Sequence, residues 1–128
     1  MPLVRIDMPT GKTPEQRRII GDVIYDAMIA TLNVPQNDRF QIISERESCD
    51  LIIDPTYLGV ARSPAGIIIQ VTLNEGRSVE LKQSFYKAVA DGLRDRAGMR
   101  PEDVFISLVE VKKENWSFGN GVAQYAVA

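Results

Sequence analysis

The chain has no histidine, a single cysteine and a single tryptophan in 128 residues, and no apolar run near the length of a membrane span. Each shortage excludes something. Without histidine there is no Ser-His triad, no imidazole general base and no His-based zinc site. Cys49 has no intrachain partner for a disulfide, which fits a reduced thiol in the cytoplasm. A spanning helix needs about 20 successive apolar residues, and no signal-peptide pattern opens the chain. A soluble, cytoplasmic protein with no membrane partner is therefore expected. Charge of one sign is scarce too: 15 Lys+Arg against 17 Asp+Glu leave a net charge of −2. That gives no electrostatic case for a nucleic-acid partner. Acid–base chemistry near neutral pH must come from a perturbed carboxylate, lysine, cysteine, tyrosine or the terminal amine.

With 45% apolar and 25% charged residues the chain is an ordinary globular one, long enough for one domain with its own core. Residues 3–8 alternate apolar and polar, as a half-buried strand does. Thr13-Pro14-Glu15-Gln16 announces a helix, with Thr13 as N-cap, Pro14 in the first turn and Gln16 closing a capping box. Ile19, Ile20, Val23, Ile24, Ala27, Met28 and Thr31 give it one apolar stripe, running to about Leu32. A tight connector, Val34-Pro35-Gln36-Asn37-Asp38, leads to a strand over 39–44. Leu51-Ile52-Ile53 suggests a short strand inside an otherwise loop-rich segment, 46–66. Residues 67–73 form a near-continuous apolar strand suited to a sheet centre. Ser78 caps a second helix to about Ala97 that buries Leu81, Phe85, Ala88, Val89 and Leu93, and Gly98 ends it. A fourth strand runs from Val104 to Val111.

The halves overlay without a gap at an offset of 65 residues. Gly11 falls on Gly76, Lys12 on Arg77, Thr13 on Ser78, Asp38 on Asp103, Phe40 on Phe105 and Glu45 on Glu110. The pattern predicts a tandem β-α-β duplication: an α+β domain with one four-stranded mixed sheet and two helices on one face. Repeat one covers 2–45, a connecting segment 46–66, repeat two 67–111 and a tail 112–128, all in a single domain 1–128. Each crossover should be right-handed. One asymmetry matters. Pro2 falls on Ile67, which lies mid-chain and has no free amine, whereas removal of Met1 would leave Pro2 with a secondary amine at the head of a strand.

A β-α-β duplication beginning at Pro2 resembles the tautomerase superfamily, 4-oxalocrotonate tautomerase-like proteins that use an amino-terminal proline as catalyst. The segments Val34-Pro35-Gln36-Asn37-Asp38-Arg39-Phe40-Gln41, Gly76-Arg77-Ser78, Pro101-Glu102-Asp103-Val104 and Asn115-Trp116-Ser117-Phe118-Gly119 look like its double-length branch containing malonate semialdehyde decarboxylase. The resemblance implies a homotrimer, a pocket built partly at subunit contacts, and no metal or organic cofactor. It implies Pro2 as a general base moving a proton between carbon and oxygen, a role that needs an amine pKa near the working pH. Arg77 would clamp a substrate carboxylate and stabilise enolate charge, and Asp38 would orient or activate water beside the proline. Trp116 and Phe118 would be pocket walls, with Tyr125 and Tyr57 as weaker candidates. The decarboxylase carries a second arginine just before the one matched by Arg77. This chain has Asn74-Glu75-Gly76 there, which leaves Arg39 or Arg62 to substitute for that carboxylate anchor and makes Asn74, with Arg39, a substrate-binding candidate.

The first expectation is thus a cofactor-independent tautomerase acting on small 2-oxo or enol acids, with Pro2 as base and Arg77 as clamp. A malonate semialdehyde-type decarboxylase or hydratase, with cationic Pro2 and Asp38, is the alternative. A non-catalytic binding module on the same fold is the third, and it predicts that Pro2→Ala changes nothing.

Overall fold

Alternation in the strands and three-and-four spacing in the helices put the buried core on one side of a single sheet. The computed structural model describes residues 2–126; Met1, and Val127 and Ala128 at the end of the tail, lie outside the described residues. The order is β1 (Leu3–Pro9), α1 (Pro14–Leu32), β2 (Phe40–Arg46), β3 (Ile67–Asn74), α2 (Val79–Ala97) and β4 (Val104–Val111), with short 3-10 turns at Tyr57–Gly59, Pro101–Asp103 and Lys113–Asn115. The sheet runs β2-β1-β3-β4. β1 is parallel to β2, β3 is parallel to β4, and the central β1–β3 pair is antiparallel. Two β-α-β units therefore meet head to tail across the middle of the sheet, as the duplication requires.

Val4, Ile6 and Met8 of β1 and Ile67, Ile69, Val71 and Leu73 of β3 bury against the helix layer. The helices answer with Ile20, Val23, Ile24, Met28 and Leu32, and with Phe85, Val89 and Leu93. Leu81 and Ala88, expected in the core, are only partly buried against its edge. The helices touch closely at Gly92, where a β-carbon would stand 2.7 Å from Cγ1 of Val23. The opposite face of the sheet carries no helix among the described residues; Phe40 meets Phe118 of the tail there, and Phe40, Ile42, Phe105 and Val109 stay partly exposed.

The local chemistry repeats as well. Oγ1 of Thr13 accepts from the Gln16 amide at 3.1 Å, and Oγ of Ser78 accepts from the Leu81 amide at 3.2 Å. The reciprocal bond of the capping box, Thr13 amide to Gln16 Oε1 at 2.9 Å, exists only in α1 because α2 has Leu81 at that position. Gly11 and Gly76 take φ of +117° and +118° in matching turns, a region that favours glycine. Glu45 accepts from the Gly11 amide and pairs with Arg17; Glu110 likewise meets the Gly76 amide and pairs with Lys82.

Two elements differ from expectation. β2 runs on to Arg46, because Met8 and Pro9 continue to pair with Glu45 and Arg46. Leu51-Ile52-Ile53 forms no strand. Beyond it, Oδ1 of Asp54 accepts from the amides of Thr56 and Tyr57 at 2.9 and 2.8 Å, which turns the backbone away from any sheet edge.

Candidate active site

One end of the sheet gathers the start of β1, the start of β2 and the end of β3. Leu3 is the first paired residue of β1, opposite Phe40 of β2 and Thr72 of β3. Pro2 therefore sits at the rim of this end, and it is buried. Asp38, two residues before Phe40, is buried beside it, with 7% of its surface exposed. Its carboxyl is held above the ordinary value of 3.8 by burial, while the positive chain terminus and then Arg77 pull it down. Electrostatics thus ties terminus, carboxylate and guanidinium into one cluster, in which loss of water outweighs the attraction.

Arg77 comes from the glycine turn between β3 and α2. Its Nε donates to the carbonyl of Leu32 at 2.9 Å and one Nη to the carbonyl of Asn74 at 3.2 Å. Leu32 is the last residue of α1, where helix carbonyls have no intrahelical donor and the dipole favours a cation. The guanidinium is thereby fixed at two points, and its remaining N–H groups make no further hydrogen bond among the described residues. A planar donor set held that way suits a carboxylate.

The wall comes from the tail. The indole Nε1 of Trp116 donates to Oδ1 of Asn74 at 2.7 Å. The Trp116 and Phe118 rings stack at 5.6 Å, Phe118 lies 5.9 Å from Phe40, and Tyr125 meets Phe118 edge-on at 5.3 Å. A groove of about 520 Å³ opens beside Asn74 and Tyr125. The Tyr125 phenol is pushed above its ordinary value by burial and then by the charge of Asp38, so it remains a hydrogen-bond donor at neutral pH.

Pro2, Asp38, Arg77, Asn74, Trp116 and Phe118 are thus brought to one end of the molecule. Arg39 is not among them. Its guanidinium bonds Asp22 at 2.8 Å and Gln41 at 3.1 Å and lies over the Tyr25 ring, on the helix side. Arg62 holds the connecting segment together through the carbonyls of Asp54, Tyr57 and Val60, and Tyr57 is exposed in that same segment. No second arginine joins Arg77 among the described residues. Phe40 and Tyr125 do join the wall. The first carried a signal in its Asp-Arg-Phe context, the second only its place in an apolar tail. Among the described residues no group of three or more His, Cys, Asp and Glu side chains is arranged to hold a metal ion.

Comparison with known proteins sets this geometry in a class. A pattern described as "Tautomerase enzyme" matches residues 38–119, and a second of the same description matches residues 2–61. The chain belongs to the tautomerase family. More particularly, it is 39% identical to Probable tautomerase YusQ of Bacillus subtilis, over 97% of this chain and 98% of that one. The structure of FG41 malonate semialdehyde decarboxylase superimposes with a TM-score of 0.90 at 41% identity, covering 96% of this chain and 93% of that one. A fused 4-OT symmetric trimer aligns with a TM-score of 0.78 at 25% identity, covering 97% of this chain and 98% of that chain. The four-stranded mixed sheet with two helices is the fold they share.

Proposed function

We propose that the protein is a cofactor-independent tautomerase that interconverts keto and enol forms of small 2-oxo acids, with the amine of Pro2 as general base. The observation that carries this reading is geometric: buried Asp38 and Arg77, fixed by two backbone carbonyls, stand at the end of the sheet where Pro2 leads into β1. Burial of Pro2 and the charge of Arg77 both disfavour a charged amine there, the carboxylate of Asp38 favours it, and a general base at Pro2 requires the first two to prevail. Arg77 binds the substrate carboxylate, and its charge stabilises the oxygen that becomes negative when the carbon acid loses its proton. Trp116, Phe118 and Phe40 exclude water and accept a flat substrate, and the Asn74–Trp116 bond holds that wall in place.

In the reaction the Pro2 nitrogen removes the enol hydroxyl proton and the ammonium so formed delivers a proton to the enolate carbon, so no atom is gained or lost. The test is ketonisation of phenylenolpyruvate, followed by the loss of enol absorbance, on protein whose mass shows that Met1 has been removed. Acceleration by that protein, and none by a form in which Met1 is retained and acylates the proline, is the expected result. Equal rates from both forms would sink the proposal.

A malonate semialdehyde-type decarboxylation or hydration is the second reading. It is favoured by the buried Asp38 and by the likeness to FG41 malonate semialdehyde decarboxylase. In it a cationic Pro2 replaces the neutral base and Asp38 handles water. A homotrimer is part of either reading. The likeness to a fused 4-OT trimer and the uncovered apolar sheet face, with Phe40, Ile42, Phe105 and Val109, support it. The exposed thiol of Cys49 suits a reducing cytoplasm.

A further inference from the structure

We propose that the opposite end of the sheet carries a second site, one that binds a small dicarboxylate anion without turning it over. It stands independently of the chemistry proposed for Pro2. At that end β1 and β2 finish and β3 and β4 begin, and a cavity of about 730 Å³ opens there, larger than the groove beside Tyr125.

Its lining residues correspond to those of the Pro2 end. Lys12 takes the place of Arg77, Gly98 that of Asn33, and Asp103 that of Asp38. What differs is the chemistry of the two remaining positions. Ile67, fully buried within the chain, stands where the other end has Pro2, so no amine is present. Asp103, 4% exposed, is satisfied where it lies: it accepts from the Ser63 amide at 2.7 Å and from the Ser63 hydroxyl at 2.6 Å. The connecting segment thus closes over the second carboxylate, while the first is left facing the chain terminus.

Lys12, Arg96 and Arg100 line the cavity against the single carboxylate of Asp103. The Lys12 ammonium makes no ion pair among the described residues. Arg96 pairs with Asp26 at 2.8 Å and Arg100 with Glu102 at 3.1 Å, both pairs about half exposed; Arg100 also lies 3.9 Å from Asp103 and donates to the carbonyl of Ala61 at 3.0 Å. Each guanidinium has five N–H donors, so these contacts leave others for a ligand. Glu45 is engaged by the amides of Gly11 and Lys12 and by Arg17. Ile19 and Met99 add an apolar floor for a short carbon skeleton. Three cations around such a floor fit two carboxylates joined by one or two carbons.

Malonate, titrated into 15N-labelled protein and followed by amide shifts, is the probe. The account predicts saturable shifts at Gly11, Lys12, Gly98 and Met99 that survive Arg77→Ala. Lys12→Ala weakens that binding by about tenfold, the loss of one charge-assisted contact, and Lys12→Arg restores it. Shifts confined to the Arg77 end, a response that never saturates, or shifts at Gly98 and Met99 indifferent to Lys12→Ala would each overturn the assignment.

Discussion

At one end of the sheet a buried aspartate, Asp38, lies beside Arg77 and the chain's positive terminus; at the other, the corresponding Asp103 is closed off by Ser63. The glycine turns, helix caps and glutamate clamps match between the ends, so the scaffold does not account for the difference. Chain connectivity does. The first repeat begins at a terminus, which can present an amine. The second begins mid-chain, so an amide from the connecting segment meets its aspartate instead. The matching turns and caps thus carry different chemistry at the two ends of the sheet.

The sharpest way to break this comparison is Pro2→Ala, which leaves the fold but replaces the secondary amine. A loss of about 100-fold or more in kcat/KM for enol ketonisation is expected, the size of a lost general base. Arg77→Ala comes next. It removes a charge-assisted clamp worth about 1.5–3 kcal/mol, so kcat/KM should fall by roughly 10- to 100-fold. The counterpart change, Lys12→Ala, should leave turnover unaltered, and equal losses from both would erase the distinction between the ends.

Asp38→Asn probes stability and pH together. Because burial raises the Asp38 pKa, the folded state holds this proton more tightly than the unfolded chain does. Its contribution is full below the ordinary 3.8 and is lost as the pH rises through the folded value. Relative to wild type, Asp38→Asn should therefore be more stable at pH 7 than at pH 3, as read from Tm at both. Asp103→Asn provides the contrast. Its acceptor sites are used by Ser63, so the substitution leaves a buried bond broken and lowers Tm at pH 7. The smallest effect is expected from Trp116→Phe, which keeps the stack on Phe118 but loses the bond to Asn74, at a cost of about 1 kcal/mol.

Much of this was legible in the sequence because the signals are local. Thr13 and Ser78 announce the helices within one turn, and Gly11 and Gly76 mark turns that suit glycine. The offset of 65 residues also pairs Asp38 with Asp103. The tail was harder. Tyr125 reaches Phe118 from an irregular segment with no periodicity to read. Arg39 enters the candidate site only as a stand-in for the second arginine of the decarboxylase branch, and the fold sends it elsewhere. Adjacent residues of an extended segment point to opposite sides, so its guanidinium meets Asp22 and Tyr25 on α1 instead. The closure of Asp103 by Ser63 spans 40 residues and has no local signature at all.

The central claim is a neutral amine at Pro2, and its most direct test is an NMR titration of the Pro2 nitrogen on protein whose mass shows that Met1 is gone. The account predicts a pKa clearly below the ~7.7–8.0 of an ordinary terminal amine. A value at or above that range would contradict the general base and move the cationic, decarboxylase-type chemistry to the front.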